Sequence, residues 1–200
     1  MEIVIVLPFE DAETQTPVWA VEEAAVDFRR DPDRGARCTL AFAATELKHF
    51  LTRTIPGITV SFDSGRPSRT VFIELQVRRP HSKAEAFTLA PCDNGIVITG
   101  EGRTGALYGA YEFLRMQGWR WLAPGPAGEI APPPAAALVM PQAKKEYAPS
   151  MSLGRGFDFE DASKESRELY LWMARNRLNL SGYRPATGAF CQKLGMSPKI

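Results

Sequence analysis

The sequence predicts an α+β chain: an antiparallel or mixed β-sheet with two helices on one face, followed by the first βαβα units of a truncated (β/α) barrel. Three observations carry that reading. Short apolar runs between residues 58 and 99 are separated by Gly, Pro, Asp and Asn turn residues, as in a succession of strands. Two patterns of helical period bracket that succession. Beyond a Pro- and Ala-rich stretch the order becomes β-α-β-α, the grammar of a parallel α/β domain.

The elements follow in order. Ile3 to Leu7 is a β-branched run ended by Pro8, a first strand. Residues 9–37 are acidic, then Arg-rich, and read as a surface insertion in which Val18, Val21, Ala25 and Phe28 mark one short amphipathic helix. From Thr39, the apolar positions Leu40, Ala43, Leu47, Phe50, Leu51 and Thr54 share one face of a helix that Pro56-Gly57 stops. Ile58–Phe62, Val71–Val77, Phe87–Ala90 and Ile96–Thr99 are four strands. Asn94-Gly95 gives the last two hairpin chemistry through its tolerance of positive φ. A second helix from Arg103 to Gln117 shows Ala106, Leu107, Ala110, Phe113 and Leu114 on one face, with Gly118 at its C-cap. Trp119–Leu122 is a short strand closing an accessory domain over residues 1–124.

Residues 125–149, with Pro132-Pro133-Pro134 and an alanine triplet, form a semi-rigid connector. Residues 150–200 then open a (β/α) barrel. Met151–Phe157 is its first strand, a helix follows with Leu169, Trp172, Met173 and Asn176 on one face, Leu178–Ser181 is a second strand and Ala186–Leu194 a second helix. Fifty residues are far short of the ~250 that such a barrel takes, so this domain is incomplete.

Composition narrows the function classes. The chain has 200 residues, with 24 Lys+Arg against 23 Asp+Glu, a net charge of +1. Near-neutrality without basic clusters argues against nucleic-acid and anionic-membrane partners. Hydrophobic residues at 44% suit a soluble globular chain, and no apolar run approaches the ~18 residues of a membrane span. Cys38, Cys92 and Cys191 are widely spaced and odd in number, so they make no disulfide framework and read as small buried hydrophobes. No signal peptide is visible at the N-terminus, which reads as cytoplasmic as written, or secreted or periplasmic if a leader has been trimmed.

Few constellations carry chemistry. Gly100-Glu101-Gly102-Arg103-Thr104-Gly105 spells a GxGxxG between a strand and a helix, the arrangement of a dinucleotide fingerprint. Against it, no acid ends a strand about 20 residues on, where the chain reads Trp119-Arg120-Trp121-Leu122-Ala123, and the preceding strands are joined by hairpins. Glycines that let a strand turn sharply into a close-packed helix explain it better. His49 and His81 have no partner at metal-ligand spacing, so neither a metal nor a cofactor is expected. Trp119-Arg120-Trp121 could form a sugar platform, but inter-domain packing is the stronger reading. In Leu153-Gly154-Arg155-Gly156-Phe157-Asp158-Phe159-Glu160-Asp161, Arg155 falls on the first barrel strand and Asp158 at its C-terminal end, the face where barrel enzymes work. An inward guanidinium there can fork onto hydroxyls or a carboxylate. The competing reading has the acids cap the next helix and Arg155 pair with one of them.

Several stretches resemble known hydrolases. Phe42-Ala43-Ala44-Thr45-Glu46-Leu47-Lys48-His49-Phe50-Leu51 is similar to a helix in the non-catalytic N-terminal domain of family 67 alpha-glucuronidases. Gly95-Ile96-Val97-Ile98-Thr99-Gly100 with Gly105-Ala106-Leu107-Tyr108-Gly109-Ala110-Tyr111-Glu112-Phe113-Leu114 resembles an element shared with the second domain of family 20 beta-N-acetylhexosaminidases. Gly118-Trp119-Arg120-Trp121-Leu122-Ala123-Pro124-Gly125 and Trp172-Met173-Ala174-Arg175-Asn176-Arg177-Leu178-Asn179 are similar to alpha-glucuronidase-like bacterial proteins. The match covers about residues 1–8 and 38–200, and the 9–37 stretch departs from it. The resemblance implies an accessory α+β domain leading into a barrel that hydrolyses glycosides. Arg155 matches the family 20 arginine that holds hydroxyls of the terminal sugar, and the catalytic Asp/Glu pair would lie past Ile200.

The leading expectation is therefore an N-terminal part of a carbohydrate-active hydrolase, catalytically silent alone, with a carbohydrate substrate bound through the complete barrel. The alternatives are a stand-alone carbohydrate-binding or interaction module, and a nucleotide-binding domain through Gly100–Gly105.

Overall fold

A computed structural model of the chain describes residues 1–82, 84–151, 155–157, 166–181 and 185–198. Its centre is a six-stranded mixed sheet. The strands are β1 (Glu2–Val6), β2 (Thr59–Asp63), β3 (Val71–Val77), β4 (Phe87–Cys92), β5 (Gly95–Gly100) and β8 (Lys145–Tyr147), in the order β2-β1-β3-β5-β4-β8. The strand run between the two helices is present, but β2, β1, β3 and β5 are all parallel, and only β4 runs against its neighbours β5 and β8. Among the described residues the one tight hairpin is β4–β5.

Parallel pairing accounts for the unbroken apolar character of β1. Ile3, Ile5 and Leu7 face the helices, while Val4 and Val6 form a small cluster with Phe72 on the opposite face. A central parallel strand buried on both faces reads as a hydrophobic run rather than an alternation. The chain between β2 and β3 returns across that second face, where the Arg66 guanidinium covers the Phe72 ring and pairs with Glu74.

Two long helices pack on one face of the sheet. In α2 (Pro32–Thr54), Leu40, Ala43, Leu47, Phe50, Leu51 and Thr54 are all buried. In α3 (Arg103–Met116), Ala106, Leu107, Ala110, Phe113 and Leu114 are buried, and so are Tyr108 and Tyr111, because α3 is covered on its other side by the chain beyond residue 166. α2 begins seven residues before Thr39. Pro32 occupies the first helical turn, where its missing N–H is harmless, and the Asp31 side chain caps the helix by accepting from the Arg34 amide at 3.0 Å.

The short helix expected through Val18, Val21, Ala25 and Phe28 does not form. Instead α1 (Ala12–Trp19) ends early, a 3-10 turn spans Glu23–Ala25, and Val21 stands 71% exposed. The Asp27 carboxylate accepts from the amides of Arg29 and Arg30 at 3.0 and 3.1 Å, local bonds that compete with a helix. Val26 and Phe28 turn inward onto Cys38.

β6 (Arg120–Trp121) pairs antiparallel with β7 (Glu129–Ile130), and β8 returns to the sheet edge beside β4. Three parallel strands, β9 (Gly156–Phe157), β10 (Leu180–Ser181) and β11 (Ser197–Pro198), then alternate with α4 (Arg167–Arg175) and α5 (Pro185–Lys193). This βαβαβ succession is the unit from which (β/α) barrels are built.

Candidate functional site

Arg155 precedes β9 and lines a cavity of about 290 Å³ with Glu85, Phe87, Tyr108, Tyr147 and Arg177. Its guanidinium is held from three sides. Nε donates to the Arg177 carbonyl at 3.0 Å, Nη1 to the Met151 carbonyl, and Nη2 pairs with Glu85 Oε2. Those bonds, with a further one to the Tyr108 hydroxyl, use most of the five N–H donors that arginine carries. Asn179 closes the arrangement: its Nδ2 donates to Glu85 Oε1 at 2.8 Å, and its Oδ1 accepts from the Arg155 amide at 3.2 Å. Asp158 lies outside the described residues, as do Glu160 and Asp161.

Local backbone chemistry positions these groups. α4 ends with Leu178 N–H donating to the Met173 carbonyl at 2.9 Å and Arg177 N–H donating to the Ala174 carbonyl at 2.9 Å, the two bonds of a Schellman cap. Arg177 therefore adopts φ +60, where glycine is usual, and its carbonyl meets Arg155. Tyr108, from α3, donates its hydroxyl to the Leu178 carbonyl at 3.3 Å. Burial, and then the Glu85 charge, push that phenol well above its ordinary value, so it stays a neutral donor.

Chemically this is a rigid polar wall. Both Glu85 oxygens are engaged, by Arg155 and Asn179, and Glu85 is the one carboxylate on the cavity wall among the described residues. Glycoside hydrolysis ordinarily needs two. The described residues of the cavity can orient a hydroxylated ligand but hold no acid/base pair. Nor do they contain a group of three or more His, Cys, Asp or Glu able to hold a metal ion.

Glu85 carried no signal in the sequence, sitting between two alanines before β4. A second cluster unites the motifs instead. Arg175 of α4 pairs with Glu46 of α2 and, through Nη1 at 3.0 Å, with Glu129 of β7. Burial opposes the Arg175 charge, but Glu46 and Glu129 outweigh it and raise its pKa. Tyr111 donates to Glu46 Oε2 at 3.0 Å, and its phenol is raised by burial and by that carboxylate. Trp119 is fully buried, with its Nε1 donating to Thr54 Oγ1 at 2.8 Å. Trp121 packs edge-on against Phe50 and Tyr111, while its carbonyl accepts from Trp172 Nε1 and Asn176 Nδ2, each at 3.1 Å. Neither indole is a sugar platform. Trp121 fastens the βαβαβ segment to the sheet-and-helix unit, while Trp119 packs within that unit against Phe50 and Thr54.

The GxGxxG glycines are packing residues. A Cβ on Gly100, Gly102 or Gly105 would collide with backbone: of Ala106, of Ser82, and of Ala86 respectively. The Glu101 amide donates to the Ala86 carbonyl at 2.8 Å. Ser82, Ala84 and Ala86 thus already fill the approach to the α3 N-terminus that a pyrophosphate would need. Gly95 is likewise needed for close approach to the Phe72 carbonyl, because neither it nor Asn94 has positive φ. His49 and His81 are exposed.

No family model matches the chain, and no curated protein matches it. Among solved structures the chain is similar to a family 138 glycoside hydrolase targeting pectin rhamnogalacturonan II, with 14% identity and a TM-score of 0.56 over 98% of this chain and 30% of that one. It is also similar to a family 115 4-O-methyl-alpha-glucuronidase with specificity for decorated arabinogalactans, with 13% identity and a TM-score of 0.57 over 98% of this chain and 28% of that one. The chain spans under a third of the length of either enzyme. At such identities the likeness speaks of architecture alone: the chain's fold is similar to that of parts of these two glycoside hydrolases.

Proposed function

We propose that this chain is the N-terminal part of a carbohydrate-active enzyme that hydrolyses glycosidic bonds, of alpha-glucuronidase-like or hexosaminidase-like type. In this reading residues 1–124 are the accessory domain, 125–149 the connector and 150–200 the opening of the catalytic barrel. The carrying observation is that 98% of the chain superposes on parts of two glycoside hydrolases. The βαβαβ order after β8 supports it. Arg155 donates to a sugar hydroxyl, held in orientation by Glu85 and the Arg177 carbonyl, and Asp158 accepts from a neighbouring hydroxyl.

The test begins with the coding sequence beyond the Ile200 codon. Further βα units with a paired Asp/Glu are expected, and the extended product should release sugar from aryl glycosides and acidic plant polysaccharides. Residues 1–200 alone should release none. A reading frame that closes after Ile200, or turnover by the 200-residue chain itself, would overturn the proposal.

A further inference from the structure

One edge of the six-stranded sheet meets the Arg155 cavity through an aromatic pair. Phe87 of β4 and Tyr147 of β8 are register partners, and their rings stack with centroids 4.7 Å apart and planes 16° from parallel. Phe87 is the inner ring, 3% exposed, while Tyr147 stands half-buried and lines the cavity. β8 is the edge strand, so no strand lies beyond Tyr147. One face of Tyr147 rests on Phe87, and among the described residues neither a second ring nor a cation stacks on the other. Burial, and then the Glu112 carboxylate, raise its phenol, which stays neutral.

Arg177 lines the same cavity, at the C-terminal cap of α4. Its φ of +60 is the one positive value outside glycine among the described residues. Glycine would take that cap without strain, whereas any side chain there is strained. A residue held so is a reason to look for a use of its side chain. Within the fold that side chain gains little. It makes one ion pair, from Nη1 to Glu112 Oε2 at 3.4 Å, and is 39% exposed. Its other N–H donors have no partner among the described residues.

We infer that Tyr147 and Arg177 form a subsite for one pyranose ring, an inference that rests on the carbohydrate reading of this cavity. The apolar C–H face of the ring lies on the open face of Tyr147, and its hydroxyls accept from the unspent donors of Arg177. The volume of about 290 Å³ falls just below the range of drug-sized sites, which suits one ring rather than a chain of them. A stack that only pinned β8 to β4 would need no cavity beside its outer ring, and a cap alone would favour glycine. Together they supply what a sugar takes, an apolar plane and donors for hydroxyls.

Saturation-transfer NMR of the 200-residue chain with methyl glycosides of glucose, galactose and xylose tests this, with sorbitol as a polyol that has no ring. At least one glycoside should bind saturably, with transfer strongest to the C–H protons of one ring face and sorbitol at least about tenfold weaker. Tyr147→Leu, which keeps apolar volume on β8 without an aromatic plane, should weaken that glycoside about tenfold, and Tyr147→Phe should stay within about threefold. Arg177→Gly should also lose about tenfold, yet melt no lower than the wild type, because it relieves the φ of +60. No saturable glycoside, equal binding of sorbitol, or an unchanged affinity in either Tyr147→Leu or Arg177→Gly would each overturn the inference. Glycoside binding without hydrolysis by an extended chain would sink the proposed function and leave this subsite standing, whereas hydrolysis unchanged by Tyr147→Leu would sink the subsite alone.

Discussion

Arg175 grips Glu46 through two nitrogens, with Nε 3.0 Å from Oε2 and Nη2 3.3 Å from Oε1. The fork joins α4 to α2 across 129 residues of sequence. Both side chains are largely buried, 10% and 12% exposed. Removing one partner of such a pair strands a charge. Arg175→Ala should therefore lose about 3–5 kcal/mol in urea unfolding, and Arg175→Ala with Glu46→Ala should lose less than the sum of the single changes. Additive losses would show that the pair contributes nothing of its own.

Two glycines separate backbone strain from steric exclusion. Gly57 has φ +73 with open space around it, so Gly57→Ala should cost about 1 kcal/mol by thermal melt. Gly102 has ordinary φ, but a Cβ there would press on the Ser82 and Ala84 carbonyls. Gly102→Ala should cost more, about 1–3 kcal/mol. The wild-type chain should also show no binding of a nicotinamide dinucleotide by titration.

The ion pair between Lys193 and Glu23 predicts acid sensitivity. Lys193 Nζ lies 2.7 Å from Glu23 Oε2, both side chains being almost fully buried. Burial raises the Glu23 carboxyl, yet hydrogen bonds from Lys193 and Arg167 outweigh it and hold the group below its usual 4.5. A carboxyl depressed by folding stabilises the folded state fully above its unfolded value and loses that contribution as pH falls through the folded one. Urea midpoints measured from neutrality down to about pH 3 should fall more steeply for the wild type than for Glu23→Gln.

Thiol reactivity should divide sharply. Cys38 and Cys191 are buried, and burial pushes the Cys38 thiol up to about 12, whereas Cys92 at the end of β4 is exposed. Ellman's reagent at neutral pH should label one thiol per native chain and three in denaturant. Rapid labelling of Cys38 in the native state would show that the Val26–Phe28 cluster opens.

Sequence periodicity located what local chemistry decides. The faces of α2 and α3, the extent of β3 and the β4–β5 hairpin are each written within a few consecutive turns or alternations. What it missed is non-local. Nothing in Ile3–Leu7 says that this run pairs in parallel with strands some 57 and 68 residues later. The true start of α2 was hidden because Pro32 serves as either a breaker or a first-turn residue. At the candidate site, Arg155 could be picked out by its place beside a strand, which the structure begins one residue later at Gly156, but Glu85 could not, because their pairing spans 70 residues and leaves no local pattern. The tryptophans at 119 and 121 drew attention as aromatics, and only packing shows their rings turned inward.

The position of β1 has a consequence for biosynthesis. It leaves the ribosome before both of its neighbours, the second of which is complete only when Val77 has emerged. Until then an apolar β-branched ribbon waits without partners, an exposure that favours aggregation. Slowed translation before residue 77 would prolong the wait.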